Sequence, residues 1–212
     1  MDMIASVKRE RGHMRLTLDS GEVLFVSGEL FRERPFAEGD AIDVEEYDEW
    51  LLPRQYRAAL DRAVALLAMR AHSRGEIEQR LLRAHYRPAT VEMVLYKLSR
   101  EGLLDDADFA RQWTASRTGR KLGRNRIAQE LRHKGVSAGD IEEALSEIDE
   151  EDQLASAAAL AEKALRRAKP GEDPRKTAQR VTGMLARRGY PWDVARAAIQ
   201  RVMDQVEEEA SW

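Results

Sequence analysis

Cysteine is absent from this chain, so no disulfide or thiolate–metal site can form, and a reducing cytosol suits it. Aromatic residues are scarce at 6%, whereas charged residues reach 34%, with Ala, Leu, Arg and Glu dominant. That balance suits amphipathic helices better than a β-sandwich or a disordered tail. No apolar run approaches bilayer length, and the opening MDMIASVKRERG lacks the apolar centre of a signal peptide. A soluble, cytoplasmic protein without membrane contact is expected. Its 212 residues leave room for one or two compact domains with a real core.

The usual marks of chemistry are missing as well. His13, His72, His85 and His133 are scattered, without the spacing of a helical metal site, and read as surface or loop residues. The segment from Gly119 to Gly123 lacks the Gly-Lys-Ser/Thr ending of a phosphate loop and does not follow a strand. Ser73 and Ser137 read as helix caps rather than nucleophiles, and Asp105 and Asp106 as first-turn acids of a helix rather than a catalytic pair. No catalytic residue, metal ligand or cofactor is expected, and the chain reads as a binding protein rather than an enzyme.

What is present divides into a short β-rich start and a long helical remainder. Residues 4–7, 14–18 and 22–26 are rich in β-formers, with Asp19-Ser20-Gly21 as a hairpin signal between the last two. One helical turn is expected near 29–34, and a turn at Glu38-Gly39-Asp40 before an alternating strand over 41–45. This module carries twelve acids and six bases over 1–48 and is too small to stand well alone, so it docks on the helices or stays mobile. After Trp50 the pattern changes. Pro53 fits a first helical turn, and Tyr56, Leu60, Val64, Leu67 and Met69 recur at helical spacing.

From there the chain repeats itself. Residues 77–98, 127–148 and 181–202 align without gaps. The matched positions are Ile77, Ile127 and Val181; Leu81, Leu131 and Leu185; Tyr86, Val136 and Tyr190; Val91, Ile141 and Ala195; Leu95, Leu145 and Ile199; Leu98, Ile148 and Val202. Each copy breaks just after its matched leucine, Leu81, Leu131 or Leu185, and has a leading helix, at 60–71, 107–116 and 154–168. The expected fold is mainly α: three tandem three-helix repeats forming an elongated curved array, preceded by a small β-rich module. The division is 1–50 for that module, then 54–105, 106–150 and 151–212 for the repeats. Ser73 and Glu76 form a capping box, Ser137 and Asp140 a looser one, and Asp173-Pro174 opens a helix. The segment 169–172 is a longer joint, and the tail from Glu207 is expected to fray.

Charge is spread unevenly over these units. The formal net charge is -3, yet Arg111, Arg117, Arg120, Lys121, Arg124, Arg126, Arg132 and Lys134 face a single acid, Glu130, within the second repeat. The third repeat answers with Lys163, Arg166, Arg167, Lys169, Arg175, Lys176, Arg180, Arg187 and Arg188, opposed by Glu172 and Asp173. A single such run reads equally well as a solvated helix face; two in equivalent parts of successive repeats point to an anionic partner. Arg120, Lys121, Arg124 and Arg126 flank a helix start, where free backbone N–H groups favour an anion. Trp113, Tyr86 and Tyr190 could stack on bases, but their apolar register places them in the core.

The run from Leu103 to Ala110, then Ser116-Arg117, Gly123 to Ile127, Glu130-Leu131 and Lys134-Gly135-Val136 resembles the centre of the bacterial RecX regulators. The capping box at Ser73 behind Arg70, the stretch from Val94 to Leu98 before Gly102-Leu103, and the run Leu185 to Tyr190 are similar to that family's first and third repeats. Ile77 stands where the family commonly has leucine, and the module at 1–48 belongs to only some members. The resemblance implies a protein that lies along the RecA recombinase filament and lowers its ATP hydrolysis, strand exchange and co-protease activity, and so modulates homologous recombination and the SOS response. Some members also touch single- or double-stranded DNA. The resemblance implies no catalysis by the protein itself; nothing in the sequence demands a dimer, and a monomer is expected. The rival readings are a helix-turn-helix DNA-binding regulator built on 73–104 and a passive adaptor for another acidic partner.

Overall fold

The computed structural model describes residues 1–167 and 173–210. The expected joint at 169–172, with Lys169 and Glu172, lies outside them, as do Ser211 and Trp212 of the tail. Residues 207–210, expected to fray, continue a helix in their backbone. The chain divides into two compact units, Met1–Asp105 and Asp106–Trp212.

The first unit opens with β1 (Asp2–Glu10), β2 (His13–Leu18), β3 (Val23–Ser27) and β4 (Ala41–Ile42), an antiparallel sheet in the order β3-β2-β1-β4. The predicted hairpin at Asp19-Ser20-Gly21 joins β2 to β3. A second hairpin, not foreseen, joins β1 to β2 through Arg11 and Gly12, both at positive φ (45° and 91°). Paired positive φ is what a two-residue turn needs to match strand twist. A short helix α1 (Gly28–Glu33) follows, where one turn was expected. The strand predicted over 41–45 is cut to two residues because Asp43 caps a helix instead, its carboxylate accepting from the N–H groups of Glu45 and Glu46 at 3.0 and 3.2 Å.

That helix, α2 (Val44–Met69), corrects the reading of Pro53 as a helix start. It is 26 residues long with Pro53 inside it. Proline removes one backbone donor, and next to it the Arg54 guanidinium donates to the carbonyl of Trp50 at 2.9 Å. The buried stripe of α2 falls on every fourth residue: Tyr47, Leu51, Gln55, Ala59 and Ala63. Its upper part closes the sheet's core with Ile4, Leu16, Leu18, Leu24, Val26 and Ile42; its lower part packs with Ile77, Leu81, Val94, Leu95 and Leu98. One helix thus serves two cores. Val64 and Met69, part of the helical spacing read from the sequence, are exposed, because the small Ala59 and Ala63 hold the contact face.

The remaining helices are α3 (Arg74–Arg83) and α4 (Pro88–Arg100) in the first unit. The second unit holds α5 (Asp106–Thr118), α6 (Arg124–His133), α7 (Ala138–Ser146), α8 (Glu150–Leu165), α9 (Pro174–Arg187) and α10 (Trp192–Ala210). The caps predicted at Ser73, Ser137 and Asp173 are all formed, and Ser73 with Glu76 makes the full capping box. Ile77, Ile127, Val181, Leu81, Leu131 and Leu185 are fully buried. The middle helix of each repeat ends on one residue at positive φ: His85 (64°), Gly135 (79°) and Gly189 (89°). In each, the next residue's N–H donates back to the matched leucine carbonyl, at 3.3, 3.2 and 3.1 Å.

Besides the core shared with α2, side chains from one turn tie α2 and the sheet to the first repeat. Arg87 donates to Asp48 at 2.5 Å and to Glu22 at 3.2 Å, and its own N–H donates to the buried Gln55 at 3.0 Å. Burial opposes the Arg87 charge, but the two carboxylates outweigh it and hold its pKa above the ordinary value. His85 stacks on Phe25 of β3, ring centroids 4.1 Å apart, with His13 edge-on at 5.2 Å. Two histidines expected to be scattered therefore meet, and His72, expected at the surface, is buried. Arg87→Met should cost about 2 kcal/mol through the lost charged hydrogen bonds. Hydrogen exchange should then rise over 2–27 first, with the amides of α4 less affected; uniform protection loss, or none, would contradict this attachment.

A candidate cationic surface on the second and third repeats

Two of the predicted cations are gathered around one acid. Glu130 accepts from Arg117 Nε at 2.7 Å and from Trp113 Nε1 at 3.1 Å, and pairs with Arg126 at 3.4 Å. Partial burial pushes its carboxyl pKa up, yet Arg117, Trp113 and Arg126 together bring it below the ordinary value. The Arg117 guanidinium stands 3.7 Å from the Trp113 ring centre, and the Lys134 ammonium 4.0 Å. This cluster ties α5 to α6, and Arg117 is only 16% exposed within it. Arg111 pairs with Asp108 on its own helix, and Arg166 with Glu162.

The others lie further out. Arg120 and Lys121 sit in the exposed turn after α5, and there Lys121, not a glycine, adopts positive φ (56°). Arg132 on α6, Lys163 and Arg167 at the end of α8, and Lys176, Arg180 and Arg187 on α9 are exposed; Arg124 and Arg188 are half-buried. Arg188 donates to the carbonyl of Lys121 at 3.5 Å, which brings the cationic turns of the two repeats together.

The start of α6 is not the open anion site that its sequence predicts. The Gly123 N–H donates to the Arg188 carbonyl at 2.9 Å, the Asn125 N–H to the Gly189 carbonyl at 3.0 Å, and the Arg124 N–H to Gln153 Oε1 at 3.3 Å. These donors are already used. Two glycines allow the approach. A Cβ on Gly123 would lie 2.3 Å from the Gly189 and Tyr190 backbone, and one on Gly189 would lie 2.3 Å from Arg126. Sequence reading missed this contact, as it missed Gln153, because close backbone approach leaves no periodic trace. Trp113 is half-buried against Phe109, as its register implied, and Tyr190 is fully enclosed.

Among the described residues no group of three or more His, Asp or Glu could hold a metal, and no helix is long and apolar enough to cross a membrane. Fold and surface together define a tandem three-helix-repeat protein with a cation-rich second unit. Family models for the first, second and third three-helix domains of RecX match residues 59–98, 105–145 and 150–199. The chain is 43% identical over 141 residues to the regulatory protein RecX of Halorhodospira halophila, covering 66% of this chain and 86% of that one. It is 40% identical to that of Corynebacterium efficiens, over 68% and 73%. A crystal structure of RecX from Lactobacillus salivarius shares the fold with a TM-score of 0.66 at 20% identity, covering 71% of this chain and 97% of that one. The chain belongs to the RecX family of regulatory proteins.

Two consequences can be measured. Gly123→Ala should destabilise the protein by about 3 kcal/mol through overlap with backbone, whereas Gly119→Ala, with its nearest neighbour at 3.6 Å, should stay close to wild type in calorimetry. Equal melting of the two variants would remove the glycine contact from the account. Glu130 has a lowered folded pKa, so its stabilisation is present above the ordinary carboxylate range and is lost as pH falls through the folded value. Urea unfolding should therefore show Glu130→Gln weaker than wild type at neutral pH, with the gap closing below about pH 4.

Proposed function

We propose that this chain binds the RecA recombinase filament in the cytoplasm, as a monomer and without chemistry of its own. It lowers the filament's ATP hydrolysis, strand exchange and co-protease activity, and so modulates homologous recombination and the SOS response. Membership of the RecX family carries this reading. The cations that meet no acidic partner among the described residues, Arg120, Lys121, Arg124, Arg132, Lys163, Arg167, Lys176, Arg187 and Arg188, supply the surface for an anionic polymer. Arg111, Arg117, Arg126, Lys134, Arg166 and Arg180 frame it. The functional division we propose is 1–50, 54–105, 106–150 and 151–212, with α2 running through the first border.

Direct duplex reading by α3 and α4 is the weaker alternative. On the outward face of α4, Glu92 is held by Arg74 and Lys97 by Glu101, beside Met93 and Tyr96, which is a poor set for reading base edges.

The test is RecA ATP hydrolysis on single-stranded DNA. Stoichiometric protein should suppress it, and the triple change Arg120→Glu, Lys121→Glu, Arg187→Glu should relieve most of that suppression with little change in melting temperature. If about five phosphates are engaged, binding to filaments should fall with salt at a log–log slope near about -4. Unchanged hydrolysis at stoichiometric protein would sink the proposal.

A further inference from the structure

The described tryptophans share a spacing: Trp50, Trp113 and Trp192 each have an arginine four residues on, and Tyr96 with Arg100 repeats it. Side chains four apart share a helix face. In every pair the guanidinium stands over the ring, at 4.7 Å for Arg54, 3.7 Å for Arg117, 5.6 Å for Arg196 and 5.9 Å for Arg100. Two of these rings are absorbed by the fold. Trp50 is stacked on Tyr47, and Trp113 carries Lys134 as well and donates its N–H to Glu130. Trp192 is different. It is 67% exposed, and among the described residues it meets Arg196 and no other ring or cation.

Nothing in the packing of α10 calls for that indole. The helix is held by Ala195, Ala198, Ile199 and Val202, all buried. A large apolar side chain left in water forgoes the gain that burial would bring. Its position is also fixed. Trp192 begins α10 directly after the turn at 188–191, and the Gly123–Gly189 contact holds that turn against the start of α6. Lys121 and Arg188 meet at the same contact, and Arg124 shares a cleft of about 410 Å³ with Pro191 and Asp193. Three carboxylates, Asp193, Glu150 and Glu151, line the cleft too, with Glu151 held by Arg201, and Trp192 stands outside its lining.

We propose that Trp192, with Arg196 over its ring and Lys121, Arg124 and Arg188 on the adjoining turns, is a base-stacking subsite for single-stranded nucleic acid. An indole accepts any base by its π face, and the cations meet the phosphates on either side, so recognition is tolerant of sequence. Duplex DNA keeps its bases stacked on one another and offers the ring nothing. An acidic peptide would satisfy the cations and leave the indole in water. The inference deepens the function proposed above by naming what the cationic edge touches. It is measured on the strand without recombinase, so the two readings fail separately.

The experiment uses the full chain and fluorescence anisotropy of a labelled oligothymidylate, beside an abasic strand of equal length and polyglutamate. Trp192→Ala should weaken oligothymidylate binding about tenfold, with Trp192→Phe recovering most of the loss. Binding to the abasic strand and the melting temperature should both match wild type. Lys121→Gln should weaken both strands alike and flatten the salt dependence. Unchanged oligothymidylate affinity in Trp192→Ala would overturn the proposal. So would an equal loss on the abasic strand, or a matching loss toward polyglutamate, which would assign the site to an acidic protein.

Discussion

Each repeat closes its middle helix through a single left-handed residue, and the identity of that residue decides what the turn can touch. The backbone bonds are the same in all three copies, with the following N–H returned to Leu81, Leu131 or Leu185. A residue with a Cβ pays about 1–2 kcal/mol for this conformation. Gly135 and Gly189 avoid that cost, whereas His85 bears it and stacks on Phe25 of the sheet. An aromatic contact of this kind returns about 1 kcal/mol, close to what the conformation costs. Gly189 is constrained twice, by its φ of 89° and by Arg126, which stands where a Cβ would be. One geometric device thus attaches a sheet in the first repeat and joins backbone to backbone in the third.

The parts of the fold that the sequence displays are those governed by periodicity. The apolar positions matched across the three copies are buried in each core, save Tyr86 and Ile148, which are partly buried against it, because a helix repeats every 3.6 residues wherever its face is covered. Caps were equally legible, since Ser73, Ser137 and Asp173 each satisfy a backbone donor two or three residues away. The path of α2 was not. Pro53 looks like a start because it tolerates the first turn, yet the stripe of Tyr47, Leu51, Gln55, Ala59 and Ala63 passes through it. Burial of that stripe in two cores outweighs the loss of one backbone bond.

The candidate surface was legible in its residues and misread in its electrostatics. Eight cations against Glu130 suggest an open positive field, but Glu130 draws Arg117 and Arg126 to itself across two helices. No linear pattern announces a contact between positions 117 and 130. The start of α6 fails as an anion site for a similar reason. Its donors are met by carbonyls from a segment more than sixty positions away, namely Arg188 and Gly189. Trp192, by contrast, left a trace in the Trp-x-x-x-Arg spacing that recurs at 50, 113 and 192.

These two ways of joining parts have different mechanical consequences. In the first unit the sheet packs on the upper part of α2, and its further ties to the turn after α3 are the side chains of Arg87 and His85, whose contacts release one at a time as rotamers change. In the second unit the repeats meet through main-chain hydrogen bonds at 2.9 and 3.0 Å, and backbone cannot swing aside while α6 and the 188–191 turn stay folded. The spacing between the backbone of Lys121 on one repeat and of Arg188 and Trp192 on the next is therefore set by main-chain hydrogen bonds rather than by side-chain choice. A regular polymer presents its charges at set intervals, and a ligand that must match them loses least freedom when its own charges are already spaced. The glycine pair is what makes the second unit such a ruler.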